Sequence, residues 1–172
     1  MDGCKDSIED IDDDNDGVSD FTDSCSKGSL NWASSGLSDY DSDGCRDSTE
    51  DTDDDNDGII DSSDSCSKGN LSWASSTTTD HDSDGCKDST EDNDDDNDNV
   101  LDSFDTCQVG ILGWTSTSSN DYDGDGCQDL TEDSDDDDDN IMDLYDSCQT
   151  GITGWTSSST NDYDSDGCRD ST

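Results

Sequence analysis

The chain has 172 residues, of which 51 are Asp or Glu and 6 are Lys or Arg, for a formal charge of −45, and only 23% are hydrophobic. Burial of so few apolar side chains cannot offset an entropy loss of roughly 1–2 kcal/mol per ordered residue, so order must come from disulfides or bound cations. The charge excludes nucleic acid and anionic membrane surfaces as partners and favours multivalent cations, and no apolar run approaches the roughly 18 residues of a membrane insertion.

Nine cysteines, Cys4, Cys25, Cys45, Cys66, Cys86, Cys107, Cys127, Cys148 and Cys168, alternate at intervals of 21 and 20 residues. They define repeats at 4–44, 45–85, 86–126 and 127–167, with the truncated start of a repeat at 1–3 and of another at 168–172. Self-similarity at a fixed period predicts an irregular, metal- and disulfide-stabilised tandem repeat array, with little regular helix or strand and no single hydrophobic core.

In chain order, Asp2 and Gly3 fall at positions 5 and 6 of a twelve-residue metal loop that lacks positions 1 and 3. The first complete loop is Asp12, Asp14, Asp16, Gly17, the carbonyl of Val18, Asp20 and Asp23, at positions 1, 3, 5, 6, 7, 9 and 12. Oxygen ligands at that spacing wrap a hard cation, and glycine at 6 permits the sharp turn. After Cys25 comes the insert SKGSLNWASSGLS with Trp32, and then a second kind of loop: Asp39, Asp41, Asp43, Gly44, the carbonyl of Cys45, Asp47 and Glu50. A Glu at position 12 is expected to bind its own loop's ion in bidentate fashion.

Only Asp51 and Thr52 separate Glu50 from the next loop, Asp53, Asp55, Asp57, Gly58, Ile59, Asp61 and Asp64, which leaves no room for the helices of an EF-hand. The two kinds then alternate. Asp80, Asp82, Asp84, Gly85, Cys86, Asp88 and Glu91 precede Asp94, Asp96, Asp98, Asn99, Val100, Asp102 and Asp105. Asp121, Asp123, Asp125, Gly126, Cys127, Asp129 and Glu132 precede Asp135, Asp137, Asp139, Asn140, Ile141, Asp143 and Asp146. Asn99 and Asn140 stand where the other loops have glycine, and asparagine is the residue after glycine that best tolerates a left-handed backbone.

One divalent ion in each of these seven loops would still leave the chain near about −31, so further ions are expected on the side chains at positions 2, 4 and 13. Calcium suits such a ligand-rich, flexible oxygen site better than magnesium, and zinc would want imidazole and thiolate.

Trp32, Trp73, Trp114 and Trp155 share one phase, with Leu30, Leu71 and Leu112 before the first three, and are expected to form small packing clusters against the adjacent disulfides; an aromatic adhesion surface is the alternative. The WTSTSSN and WTSSSTN stretches read as solvated loop. His81 replaces the tyrosine of Tyr40, Tyr122 and Tyr163 at loop position 2. No nucleophile is paired with a base and there is no phosphate loop, so the chain is not expected to be an enzyme.

The segments DDDNDGVSDFTDSC and DDDNDGIIDSSDSC, with the DxDxDGC segments, resemble thrombospondin type 3 calcium-binding repeats over essentially the whole chain, in a variant like those of large secreted or surface proteins of microbes. The resemblance implies extracellular calcium, little regular secondary structure and disulfides between neighbouring motifs. The chain lacks that family's proline and carries the tryptophan insert besides.

Pairing Cys25 with Cys45, Cys66 with Cys86, Cys107 with Cys127 and Cys148 with Cys168 is favoured, because the inserts it closes carry few ligands and need a covalent staple. The other register, starting Cys4 with Cys25, remains open and would leave Cys168 unpaired instead of Cys4. Thr172 falls one residue before an expected Glu, so both ends carry part of a loop, which suggests a window from a longer array or head-to-tail or lateral self-association into a filament.

The resulting expectation is a structural calcium-binding module of an extracellular or cell-surface protein. Its competitors are a calcium-dependent adhesion or ligand-binding module and a calcium buffer or mineral-binding polyanion.

Overall fold

A computed structural model describes residues 10–170, which contain turns and bends but no α-helix or β-strand. Cys4 and the partial loop around Asp2 and Gly3 lie outside the described residues.

The chain turns where it does because each loop enters the left-handed region at two places. Position 6 has φ of 99° at Gly17 and 100° at Gly58, with Asn99 at 75° and Asn140 at 72° in the same role. Position 4 is left-handed too: Asn15, Asn56, Asn97 and Asp138 lie between 51° and 63°, and Ser42, Ser83 and Ser165 between 58° and 66°. Two left-handed residues flanking position 5 coil the backbone tightly, so the carboxylates at 1, 3 and 5 gather on one side. Asn and Asp tolerate this conformation through short polar side chains that bond locally.

What fills the interior is inverted relative to an ordinary protein. Among the described residues, the only buried hydrophobic ones are Cys45, Cys86 and Cys127, and every fully buried large side chain is an aspartate, among them Asp39, Asp55, Asp57, Asp80, Asp121 and Asp137. The larger apolar side chains face outward, with Phe21 and Leu37 almost completely exposed.

Disulfides join Cys25 to Cys45, Cys66 to Cys86, Cys107 to Cys127 and Cys148 to Cys168, each across 20 residues. Beside each bridge a main-chain bond ties the segments together: Ser24 donates to the Asp43 carbonyl, Ser65 to Asp84, Thr106 to Asp125 and Ser147 to Asp166, all at 2.7 Å. Closing a loop of this size restricts the unfolded chain by about 3 kcal/mol. Four disulfides at a 41-residue spacing mark an oxidising environment and a disulfide-stabilised tandem repeat. Among the described residues, no helix is long and apolar enough to cross a membrane.

The chain divides into two compact units, Met1–Asp92 and Asn93–Thr172, and the boundary falls just after Glu91. Each unit carries two of the disulfides.

Candidate metal centres

Every loop is wired by its own carboxylates before any ion is considered. In loop 53–64, Asp53 Oδ2 accepts the Gly58 N–H at 3.1 Å, Asp55 Oδ1 the Asp57 N–H at 3.3 Å and Asp57 Oδ1 the Ile59 N–H at 2.7 Å. Asp61 Oδ1 takes the Asp54 N–H at 2.9 Å, and Asp64 Oδ1 the Cys66 N–H at 2.6 Å. Loop 12–23 repeats the scheme, with Gly17 donating to Asp12, Asp16 to Asp14, Val18 to Asp16, Asp13 to Asp20 and Cys25 to Asp23.

In the second unit, Asn99 donates to Asp94, Asp98 to Asp96, Val100 to Asp98, Asp95 to Asp102 and Cys107 to Asp105. Asn140 donates to Asp135, Ile141 to Asp139, Asp136 to Asp143 and Cys148 to Asp146. At positions 5 and 12 the bonds fix one oxygen of each carboxylate and aim the other. Asp12, Asp14 and Asp16, and likewise Asp53, Asp55 and Asp57, each offer a ligand atom within 4.8 Å of one another.

The aimed oxygens are the telling feature. Asp12 Oδ1, Asp16 Oδ2 and Asp23 Oδ2 are buried with no hydrogen-bond donor, as are Asp53 Oδ1, Asp57 Oδ2 and Asp64 Oδ2. Asp98 Oδ2 and Asp105 Oδ2, and Asp137 Oδ1, Asp139 Oδ2 and Asp146 Oδ2, repeat the pattern. Burial pushes Asp23 and Asp64 up to about 6 and Asp105 up to about 7; the cysteine N–H bonds pull down, and the carboxylates at positions 3 and 5 add to the rise. Several buried anions sharing a few ångströms are untenable unless protonated or matched by a cation.

The glutamates go elsewhere than the twelve-position pattern sends them. Glu91 stands beside the preceding loop: a Cβ at Gly69 would lie 2.7 Å from Glu91 Oε1 and 3.1 Å from Asp55 Oδ2. Glu50 lies likewise against Gly28, whose N–H donates to Asp14 Oδ2 at 2.8 Å. Glu132 Oε1 accepts the Ile111 N–H at 2.8 Å, and burial, with Asp94 and Glu132 adding, raises the Asp96 carboxyl. Each of these glutamates leaves Oε2 buried without a donor, so loops 12–23 and 53–64 gain a fourth orphan carboxylate and loop 94–105 a third. Glycine at 28, 69 and 110 is required because a Cβ would fall 2.8 Å from the carbonyl oxygen of Cys25, Cys66 or Cys107, with the glutamate carboxylate on its other side.

In the Glu-type loops position 13 takes the vacated place. Burial, with Asp43 and Asp41 adding, pushes Asp51 up to about 6, and burial, with Asp125 and Asp133 among the contributors, pushes Asp123 up to about 7. Asp39, Asp41 and Asp43 converge, as do Asp80, Asp82 and Asp84. The position-1 aspartate here is well supplied with donors: Asp39 Oδ1 takes the Asp43 N–H at 3.1 Å, and Oδ2 takes the Gly44 N–H at 3.3 Å and the Ser34 hydroxyl at 2.5 Å. Cys45, Cys86 and Cys127 donate to Asp43, Asp84 and Asp125, and the N–H groups of Tyr40, His81 and Tyr122 to Asp47, Asp88 and Asp129.

Ser75, Ser116 and Ser157 repeat the Ser34 contact on Asp80, Asp121 and Asp162. The serine stretches are therefore not simply solvated, since one hydroxyl in each turns inward. The WxS spacing, constant in all four inserts, was the available signal.

Position 9 closes a third kind of group. Asp47, Asp51 and Asp54, at positions 9, 13 and 2, converge to within 4.8 Å between consecutive loops. The tryptophans are half-buried, and Leu30, Leu71 and Leu112 are exposed rather than packed. Cations cover three of the rings, with Arg46 at 5.9 Å from the Trp32 centroid, Lys87 at 5.6 Å from Trp73 and Arg169 at 5.8 Å from Trp155.

Comparison with protein-family models gives no match, and neither does comparison with curated proteins.

Proposed function

We propose that this chain is a calcium-stiffened structural repeat module of a secreted or cell-surface protein, of the thrombospondin type 3 kind. The observation that carries the reading is the set of buried, donorless oxygens in the aspartate loops, contributed by positions 5 and 12 in all four, by position 1 in loops 12–23 and 53–64, by position 3 in loop 135–146, and by Glu50, Glu91 and Glu132 of the following loops in the first three. An acceptor-only, all-oxygen donor set suits a hard cation, and the number of carboxylates suits calcium, which takes six to eight oxygens, over magnesium, which keeps its waters. With eight of the nine cysteines joined in disulfides and His81 alone of its type, the donor set does not suit zinc.

The mechanism is metal-coupled folding. Mutual repulsion holds the ion-free loops apart, and ion binding releases it, so binding free energy becomes folding free energy. Glu50 and Glu91 would transmit that order between loops, since each belongs to one loop and completes the one before it. Calcium would thus stiffen each unit as a whole rather than loop by loop.

Limited trypsin digestion of the non-reduced chain tests this, with cleavage followed at Lys68 and Lys87. Cleavage at least tenfold slower in millimolar calcium than in chelator is expected; equal rates overturn the reading.

A further inference from the structure

The Asp47, Asp51 and Asp54 group already holds a cation, and that cation belongs to the protein. The Lys68 ammonium bonds to Asp47 Oδ2 and lies 3.3 Å from Asp54 Oδ2, with the Asp47 and Asp54 side chains more than nine-tenths buried. Lys68 also stands 5.7 Å from the Tyr40 ring centroid. One repeat earlier, Lys27 pairs with Asp13 at 3.3 Å. Even with the lysine in place, Asp54 Oδ1 and Asp51 Oδ2 remain buried without donors.

The second unit builds the same group without the lysine. Asp129 Oδ1 accepts the Tyr122 N–H at 2.9 Å, as Asp47 accepts that of Tyr40 at 3.0 Å. Asp133 Oδ1 accepts the Asp135 N–H at 2.9 Å, as Asp51 accepts that of Asp53 at 3.1 Å. Asp143 Oδ1 accepts the Asp136 N–H at 3.0 Å, matching Asp61 and Asp54. The strand of backbone carrying the lysine position is also held alike. Gly151 donates to Asp137 Oδ2 and Gly69 to Asp55 Oδ2, both at 2.8 Å, while the Tyr122 and Tyr40 hydroxyls donate to the Gly151 and Gly69 carbonyls.

Thr150 occupies the place of Lys68 and is exposed, and the neighbouring Gln149 amide is spent on the Asp143 main-chain carbonyl at 2.6 Å. Asp133 Oδ2 and Asp136 Oδ1 are buried without donors.

We infer that the Asp129, Asp133, Asp136 and Asp143 group binds a divalent cation of its own, in the place that the Lys68 ammonium fills in the first unit. The inference rests on the calcium reading above and deepens it. A lysine supplies one positive charge and three donors at a fixed tether; a calcium ion supplies two charges and accepts every free carboxylate oxygen of the group. The lysine-bearing repeat is thereby ordered with one ion fewer, while the lysine-free repeat depends more steeply on calcium.

The test counts calcium ions by native mass spectrometry on the full, non-reduced chain, in wild type, Thr150→Lys, Lys68→Thr and the double variant. Both positions are at the surface, so the substitutions leave the loops intact. Thr150→Lys is expected to hold one ion fewer than wild type, Lys68→Thr one more, and the double variant the wild-type number. A wild type that takes up calcium with counts unchanged in all variants overturns this inference alone. A wild type that takes up none overturns the calcium reading and this site with it.

Discussion

Gly58 and Gly85 occupy position 6 of neighbouring loops with nearly the same backbone, φ of 100° and 89°, yet their surroundings differ. A Cβ at Gly58 would meet nothing within 4 Å, whereas at Gly85 it would overlap the Asp64 carboxylate of the preceding loop. Alanine at either site incurs about 1–2 kcal/mol for a left-handed L-residue. Gly85→Ala must in addition move Asp64, which forfeits the 2.6 Å bond from the Cys66 N–H, and a hydrogen bond to a charged group contributes about 1.5–3 kcal/mol.

The two variants should therefore differ by that second amount in total, and Gly85→Ala should lower calcium affinity at loop 53–64 roughly 10- to 150-fold below wild type although that loop is unchanged in sequence. Isothermal titration of the full, non-reduced chain reads it: Gly58→Ala shows a modest loss, and Gly85→Ala loses one of the tight sites although it changes no ligand. Equal losses would show that Asp64 is not seated against the next loop and would refute the coupling between loops.

Three further outcomes follow from the same contacts. In chelator, the chain should lose order as pH rises. Asp23, Asp51 and Asp64, at about 6, and Asp105 and Asp123, at about 7, hold protons in the folded state that the unfolded chain releases near 3.8. That contribution is fully present below about pH 4 and is lost as pH climbs through 6–7. Near-ultraviolet circular dichroism of the tryptophans should show this fall, and calcium should reverse its direction because deprotonated loops bind the ion better; an ion-free chain that gains order toward pH 7 contradicts the burial.

Ser75→Ala removes the hydroxyl donor from buried Asp80 and should destabilise the calcium-loaded chain by about 1–3 kcal/mol in denaturant titration, with Ser76→Ala, on an exposed serine, near zero. Replacing Cys107 and Cys127 together by serine should cost about 3 kcal/mol. It should raise the calcium concentration needed for protease resistance in the second unit and leave cleavage at Lys27 and Lys68 unchanged.

By itself the sequence determined the loops. Their ligands lie within twelve residues, and their turns need Gly or Asn at position 6, so the register of Asp12, Asp14 and Asp16 or of Asp53, Asp55 and Asp57 is legible from spacing alone. The left-handed residue at position 4 was written there too, as the asparagine of each DDDND run, and could have been found by the same reasoning. Among the described residues, the absence of helix followed where loops adjoin with only two residues between them, as at Asp51 and Thr52.

Only the tertiary structure decided which loop each boundary carboxylate serves. Glu50 and Glu91 turn back to the loop before, Asp51 and Asp133 take their places, and Lys68 reaches 21 residues back to Asp47. The physical reason is geometric. Local spacing fixes a carboxylate's position on its own turn, but a disulfide-closed insert brings distant turns within a side chain's reach, and proximity in space, not order in the chain, chooses the electrostatic partner.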